Sequence, residues 1–208
     1  MLGHMPHKTT TGISLELTVL LSGQLAANGR SFANEETETM PYMQEEVKFF
    51  NRDVTLAGTL TLPRTPGRHP AVILLHGSGP LDRDQEALGM RSFWIMADHL
   101  TRRGVAVLRY DSRGVGASSG APYQFTLSDV AEDALAGIRF LKTRNDINPA
   151  QIGLCGQSQG AMVAPLAASR SEDVAFIICL ASPGLPGGQA HITQMAAIAR
   201  SDGAAQAE

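Results

Sequence analysis

Four apolar runs, "AVILLHG" (71–77), "GVAVLRYD" (104–111), "QIGLCG" (151–156) and "VAFIICLAS" (174–182), recur at intervals filled by helix-forming sequence. A continuous apolar run, without polar alternation, suits a strand buried on both faces. Such strands need helices to cover them and crossover connections to join them, which is the arrangement of a parallel sheet. The intervening segments fit. Phe93, Met96, Ala97 and Leu100 share one helical face, with Ser92 as the expected N-cap and Gly104 as the stop. Leu127, Val130, Ala131, Ala134, Leu135, Ile138 and Leu141 mark a longer helix, opened by Thr126 and Asp129 in a capping box. A third helix follows Ser158. The fold class is α/β, with a mostly parallel sheet and helices on both faces.

Upstream the character differs. "EEVKFF" and "VTLAGTLTLP" are β-rich runs separated by the turn-forming "NRD", which predicts a hairpin, and "TPGRHP" then breaks the chain. Residues 1–44 carry no helical stripe. They are expected to form an extension of one strand, "ISLELTVLL", and a polar linker, ahead of a domain over 45–208. The apolar stretch Ile13–Leu21 is too short to span a membrane and contains Glu16, so no membrane span is expected. Seventeen basic residues against twenty acidic ones leave a net charge of −3, and the scattered Lys and Arg with few aromatics argue against a nucleic-acid surface. Cys155 and Cys179 both lie inside apolar runs and read as buried free thiols rather than a disulfide.

Gly156-Gln157-Ser158-Gln159-Gly160 stands where an apolar strand gives way to a helix. That is the setting in which a G-x-S-x-G serine is held on a tight, strained turn with its hydroxyl exposed. The plainer alternative is an ordinary βα turn carrying a surface serine. Acyl transfer also needs two N–H donors aimed at the developing oxyanion. One is expected from the residue after the nucleophile, Gln159, and the other from a loop after an earlier strand, where "HGSGP" makes Ser78 the candidate, followed by Gly79. His76, at a strand end, reads as structural. In "RYDSRGVGASSG" an Asp111–Arg113 pair is expected to tie down a glycine-rich turn; the Lys-Ser/Thr of a phosphate loop is missing. "LDRD" (81–84) either shapes a pocket mouth or forms a solvated charged turn, and the solvated turn is preferred.

Taken together, "HGSGPLDRD", "ADHLTRRGVAVLRYDSRGVGASSG" and "IGLCGQSQGAMVAPLAA" resemble the α/β-hydrolase superfamily, and within it the bacterial serine carboxylesterases related to prolyl-oligopeptidase-like hydrolases. The resemblance runs from about Glu45 to Gly188. It implies Ser158 as nucleophile, the Ser78 and Gln159 N–H groups as oxyanion donors, a small carboxylic ester as substrate, and no metal or organic cofactor. It also implies an acid and then a histidine after the serine. Glu172 and Asp173 fall at a turn expected on the far edge of the sheet, His191 follows too soon after the next strand, and Asp202 sits in a small-residue tail. The chain therefore reads as a partial hydrolase domain lacking its last strands, with "VAFIICLAS" left as an edge open to self-association. Two alternatives stay open: a non-catalytic hydrolase-fold binding protein, and a peptidase or thioesterase of the same fold.

Overall fold

The structure is a computed structural model that describes residues 40–185 and 187–201. The chain divides into two units, Met1–Met40 and Pro41–Glu208. The expected strand over Ile13–Leu21 lies outside the described residues, as does Asp202.

In the second unit, β1 (Tyr42–Asn51) and β2 (Val54–Pro63) form an antiparallel hairpin in register from Tyr42↔Pro63 to Asn51↔Val54. Its connection contains Arg52 at φ 55°, the left-handed geometry that matches the twist of a two-residue hairpin loop. β1 takes in Tyr42–Gln44, which the sequence pattern had left to the linker. Next come β3 (His69–Leu75), a small ribbon of β4 (Glu86–Ala87) and β5 (Met90–Arg91), and helix α1 (Ser92–Thr101). β6 (Ala106–Tyr110), α2 (Leu127–Lys142), β7 (Ile147–Gln157), α3 (Gln159–Ala168), β8 (Phe176–Leu180) and α4 (Gly187–Ser201) complete the order.

The main sheet runs β1-β2-β6-β3-β7-β8. β3 pairs in parallel with both β6 and β7, and β8 pairs in parallel with β7. Alternate β3 side chains serve two cores. Val72 and Leu74 pack with Phe93 and Ala97 of α1, while Ile73 and Leu75 pack with residues of α2 and α3. Thr126 and Asp129 make the expected reciprocal capping box on α2. Ser92 does not cap α1. Arg91 holds that position, and the Ser92 hydroxyl bonds Gln85 instead. Cys155 is buried, but Cys179 is exposed, because among the described residues β8 has a neighbouring strand on one side only. Among the described residues no helix is long and apolar enough to cross a membrane.

Candidate active site

Ser158 sits between β7 and α3 with φ 53° and ψ −110°. A positive φ is costly for a residue with a Cβ, and this ψ falls outside even the small left-handed helical region, so the surroundings must enforce it. The flanking glycines show how. A Cβ at Gly156 would lie 2.0 Å from the Gly160 carbonyl oxygen, and one at Gly160 would lie 2.2 Å from the Leu75 oxygen and 2.7 Å from the His76 oxygen. The first turn of α3 thus packs directly on the end of β3, which no side chain at either position would permit. The same close approach brings the loop after β3 against the serine. A Cβ built at Gly77 would be 3.8 Å from the Ser158 Cβ and 2.7 Å from the Gln157 Oε1.

The backbone donors around Ser158 are unequally occupied. Its own N–H donates to the Leu180 carbonyl at 2.9 Å, and the Gly77 N–H donates to the Gln85 Oε1 at 2.9 Å. Among the described residues, neither the Ser78 nor the Gln159 N–H has an acceptor. Gln159 is the first residue of α3, so its N–H lacks an intrahelical partner by construction. The two segments that meet at Ser158 thus each carry a backbone donor with no protein acceptor among the described residues.

The loop leading back from this point is tightly anchored. Arg83 forms a bidentate contact with Asp111, through Nε at 3.1 Å and Nη2 at 2.8 Å, and also pairs with Glu46. Burial alone would raise the Asp111 pKa, but the Arg83 hydrogen bonds outweigh it and hold the carboxyl below its usual value. Asp84 pairs with both Arg91 and the buried Arg109. The Asp82 carboxylate accepts from the Asp84 and Glu86 N–H groups, each at 3.1 Å. "LDRD" is thus an anchor rather than a solvated turn. Asp111 and Arg113 also do not pair with each other: Arg113 instead grips the buried Asp133, at 2.7 and 2.8 Å. The turn is still fixed from Asp111, whose carboxylate fills the space a side chain at Gly116 would need.

His76 stacks on Phe93 and meets Tyr110 edge-on, both with ring centroids 5.5 Å away. Burial lowers its pKa to about 4 against the opposing pull of Asp111 and Asp82, so the ring is neutral at pH 7. Among the described residues its Nε2 and the Tyr110 hydroxyl are buried without partners, and both residues line a small cleft shared with Gly77, Gly79, Asp133 and Gln159. Asp173, at the turn before β8, pairs with Lys142. His191 falls within α4, and its side chain lies outside the described residues. Among the described residues no side chain hydrogen-bonds the Ser158 Oγ, and no group of three or more His, Cys, Asp and Glu is arranged to hold a metal ion.

Residues 72–207 match the model of the alpha/beta hydrolase family. The chain is 32% identical over 177 residues to esterase EstD of Thermotoga maritima, a match covering 84% of this chain and 42% of that protein. Among solved structures it is similar to alpha/beta hydrolase GrgF from a Penicillium species, with TM-score 0.59 and 29% identity over 76% of this chain and 54% of that one. It is also similar to the Pyrococcus furiosus esterase Pf2001, with TM-score 0.57 and 26% identity over 69% and 53%. The fold and these matches place the chain in the alpha/beta hydrolase family. It spans less than half the length of EstD.

Proposed function

We propose that the protein is a serine hydrolase that cleaves small carboxylic esters through an acyl-enzyme on Ser158. The observation that carries this reading is the strained Ser158 backbone at the β7–α3 junction, against which the loop after β3 packs at Gly77. The Ser158 Oγ attacks the ester carbonyl, the charge that develops on oxygen is taken up by the Ser78 and Gln159 N–H groups, and the alcohol leaves with a proton. Water then attacks the acyl-enzyme and releases the acid. Three supports converge: the junction geometry, the family, and a relative named as an esterase. Turnover also needs a general base oriented by a carboxylate, and neither partner is bonded to Ser158 among the described residues.

The test reads the nucleophile first and turnover second. A fluorophosphonate probe forms an Oγ–P bond as fluoride leaves with the serine proton. Intact-mass and peptide analysis should find one adduct, on Ser158, absent from Ser158→Ala. No adduct, or equal labelling of Ser158→Ala, overturns the nucleophile assignment. With p-nitrophenyl acetate, the rate above background should be lost in Ser158→Ala, because the acyl-enzyme forms on that hydroxyl. Turnover that survives Ser158→Ala would assign the reaction to another nucleophile.

A further inference from the structure

The division of donors around Ser158 has an identifiable cause in a residue outside the G-x-S-x-G and HGSG motifs. Gln85 occupies a left-handed backbone conformation, φ 49°, without being glycine. Such a conformation persists only where the surroundings over-determine it, and here they do. The Gln85 N–H donates to the Asp82 carbonyl at 3.0 Å, and the Asp84 carbonyl accepts from the Phe93 N–H at 2.9 Å. Asp84 is itself pinned to Arg109 and Arg91. The effect is to aim the Gln85 amide inward. Its Oε1 takes the Gly77 N–H at 2.9 Å, and its Nε2 donates to the Ser92 hydroxyl at 3.3 Å, which fixes which end of the amide faces Gly77.

We propose that Gln85 is a positioning residue for the oxyanion site: by occupying the Gly77 N–H it locks the 77–79 backbone so that the Ser78 N–H stays vacant and faces the reacting carbonyl oxygen. This rests on the reading of Ser158 as nucleophile. Without the Gln85 acceptor, the buried Gly77 N–H must find another partner, and the Gln157 Oε1 lies 2.7 Å from where a Gly77 Cβ would stand. A turn of the peptide toward it would carry the next N–H, that of Ser78, off its line. The anchored "LDRD" turn is then the base on which Gln85 stands.

The test uses the full chain in two arms. In the first, amide hydrogen exchange at Gly77 is followed by NMR in wild type, Gln85→Leu, Gln85→Asn and Gln85→Glu. Leu offers no acceptor, Asn falls one methylene short, and Glu restores the acceptor. Gly77 exchange should accelerate at least about tenfold in the Leu and Asn variants and stay near wild type in the Glu variant. In the second arm, the fluorophosphonate reaction is resolved into a binding constant and a maximal rate. The rate should fall about tenfold or more in Leu and Asn, short of the ~10²–10³ that follows outright loss of an oxyanion donor, with the binding constant unchanged and Glu within about threefold of wild type. Unchanged Gly77 exchange in Gln85→Asn, an unchanged rate, or equal losses in Glu and Leu would each overturn the proposal. If wild type carries no adduct on Ser158, the nucleophile reading fails first, and the exchange arm still decides whether Gln85 holds Gly77.

Discussion

β7 and β8 are neighbouring parallel strands of similar apolarity, yet they meet different environments. Ile152 and Leu154 of β7 are fully buried, whereas Phe176, Ile177 and Ile178 of β8 are 39–45% exposed. β7 has β3 on one side and β8 on the other, with α3 packed on it, while β8 stands at the end of the sheet. An apolar run specifies a strand; its neighbours decide how far the strand is buried. The two strands nevertheless share the candidate site, since the Ser158 N–H at the end of β7 is held by the Leu180 carbonyl at the end of β8. At the centre of the sheet, backbone packs directly on backbone. The edge contributes a single well-placed acceptor.

The largest contrast is expected between two glycines. Gly160→Ala places a methyl group 2.2 Å from the Leu75 carbonyl oxygen, a backbone atom in the middle of the sheet that has nowhere to go. Alanine is the better helix former, yet overpacking should dominate and cost about 3 kcal/mol or more in urea unfolding, or prevent folding. Gly184, just beyond β8, has nothing within 4 Å of such a methyl, and Gly184→Ala should be neutral within about 0.5 kcal/mol. A mild Gly160→Ala would mean that α3 can slide off β3, and the contrast between centre and edge would fail.

The next effect is pH-dependent and also belongs to the centre. His76 titrates near 6.5 when unfolded and near 4 when folded, because its ring is buried against Phe93 and Tyr110. Between those values the unfolded chain binds more protons, so stability rises with pH across the window. The contribution is complete above about pH 6.5 and lost as pH falls to about 4, a span of roughly 3 kcal/mol at most. Asp111 and Asp82 face the ring and act in the opposite direction, already included in that value. The lowered pKa of Asp111 acts in a separate window, below its usual 3.8. His76→Phe should flatten the stability profile between pH 4 and 6.5, measured by urea unfolding at half-unit steps. An unchanged slope would place the ring in water.

Much of this fold was legible because it follows from local rules. The four parallel strands, the hairpin at "NRD" and the Thr126–Asp129 box each depend on residues close in sequence. The strained turn at Ser158 was legible for the same reason, since the glycines and the apolar strand that shape it adjoin it. What sequence could not reveal was long-range pairing. Arg83 reaches Asp111 across 28 positions, and Arg113 reaches Asp133 across 20, so "LDRD" and the presumed Asp111–Arg113 pair were misread for lack of their true partners. Gln85 was missed because a single amide in a polar turn carries no pattern; its meaning comes from Gly77, eight residues earlier. The exposure of Cys179 depends on a strand that, among the described residues, is paired on one side only, and the run "FIICL" reads the same either way.

The smallest effect on folding belongs to the edge, and it tests the comparison most directly. Ile178 lies opposite Cys155 in the β7–β8 register and is 45% exposed. Ile178→Lys replaces a half-hydrated apolar side chain with one whose stem still covers the strand while its charge stays in water. The unfolding free energy should therefore move by no more than about 0.5 kcal/mol. Association should change more. An uncharged apolar edge with free N–H and C=O groups is a template for a second copy, and a lysine there disfavours pairing by like-charge repulsion across the junction. Sedimentation velocity over a concentration series is expected to show wild-type self-association that Ile178→Lys weakens. A loss of 2 kcal/mol or more in the variant would break the comparison, because only a side chain buried as deeply as Leu154 produces it. β8 would then be covered in solution, and its exposure would not describe the protein at working concentration.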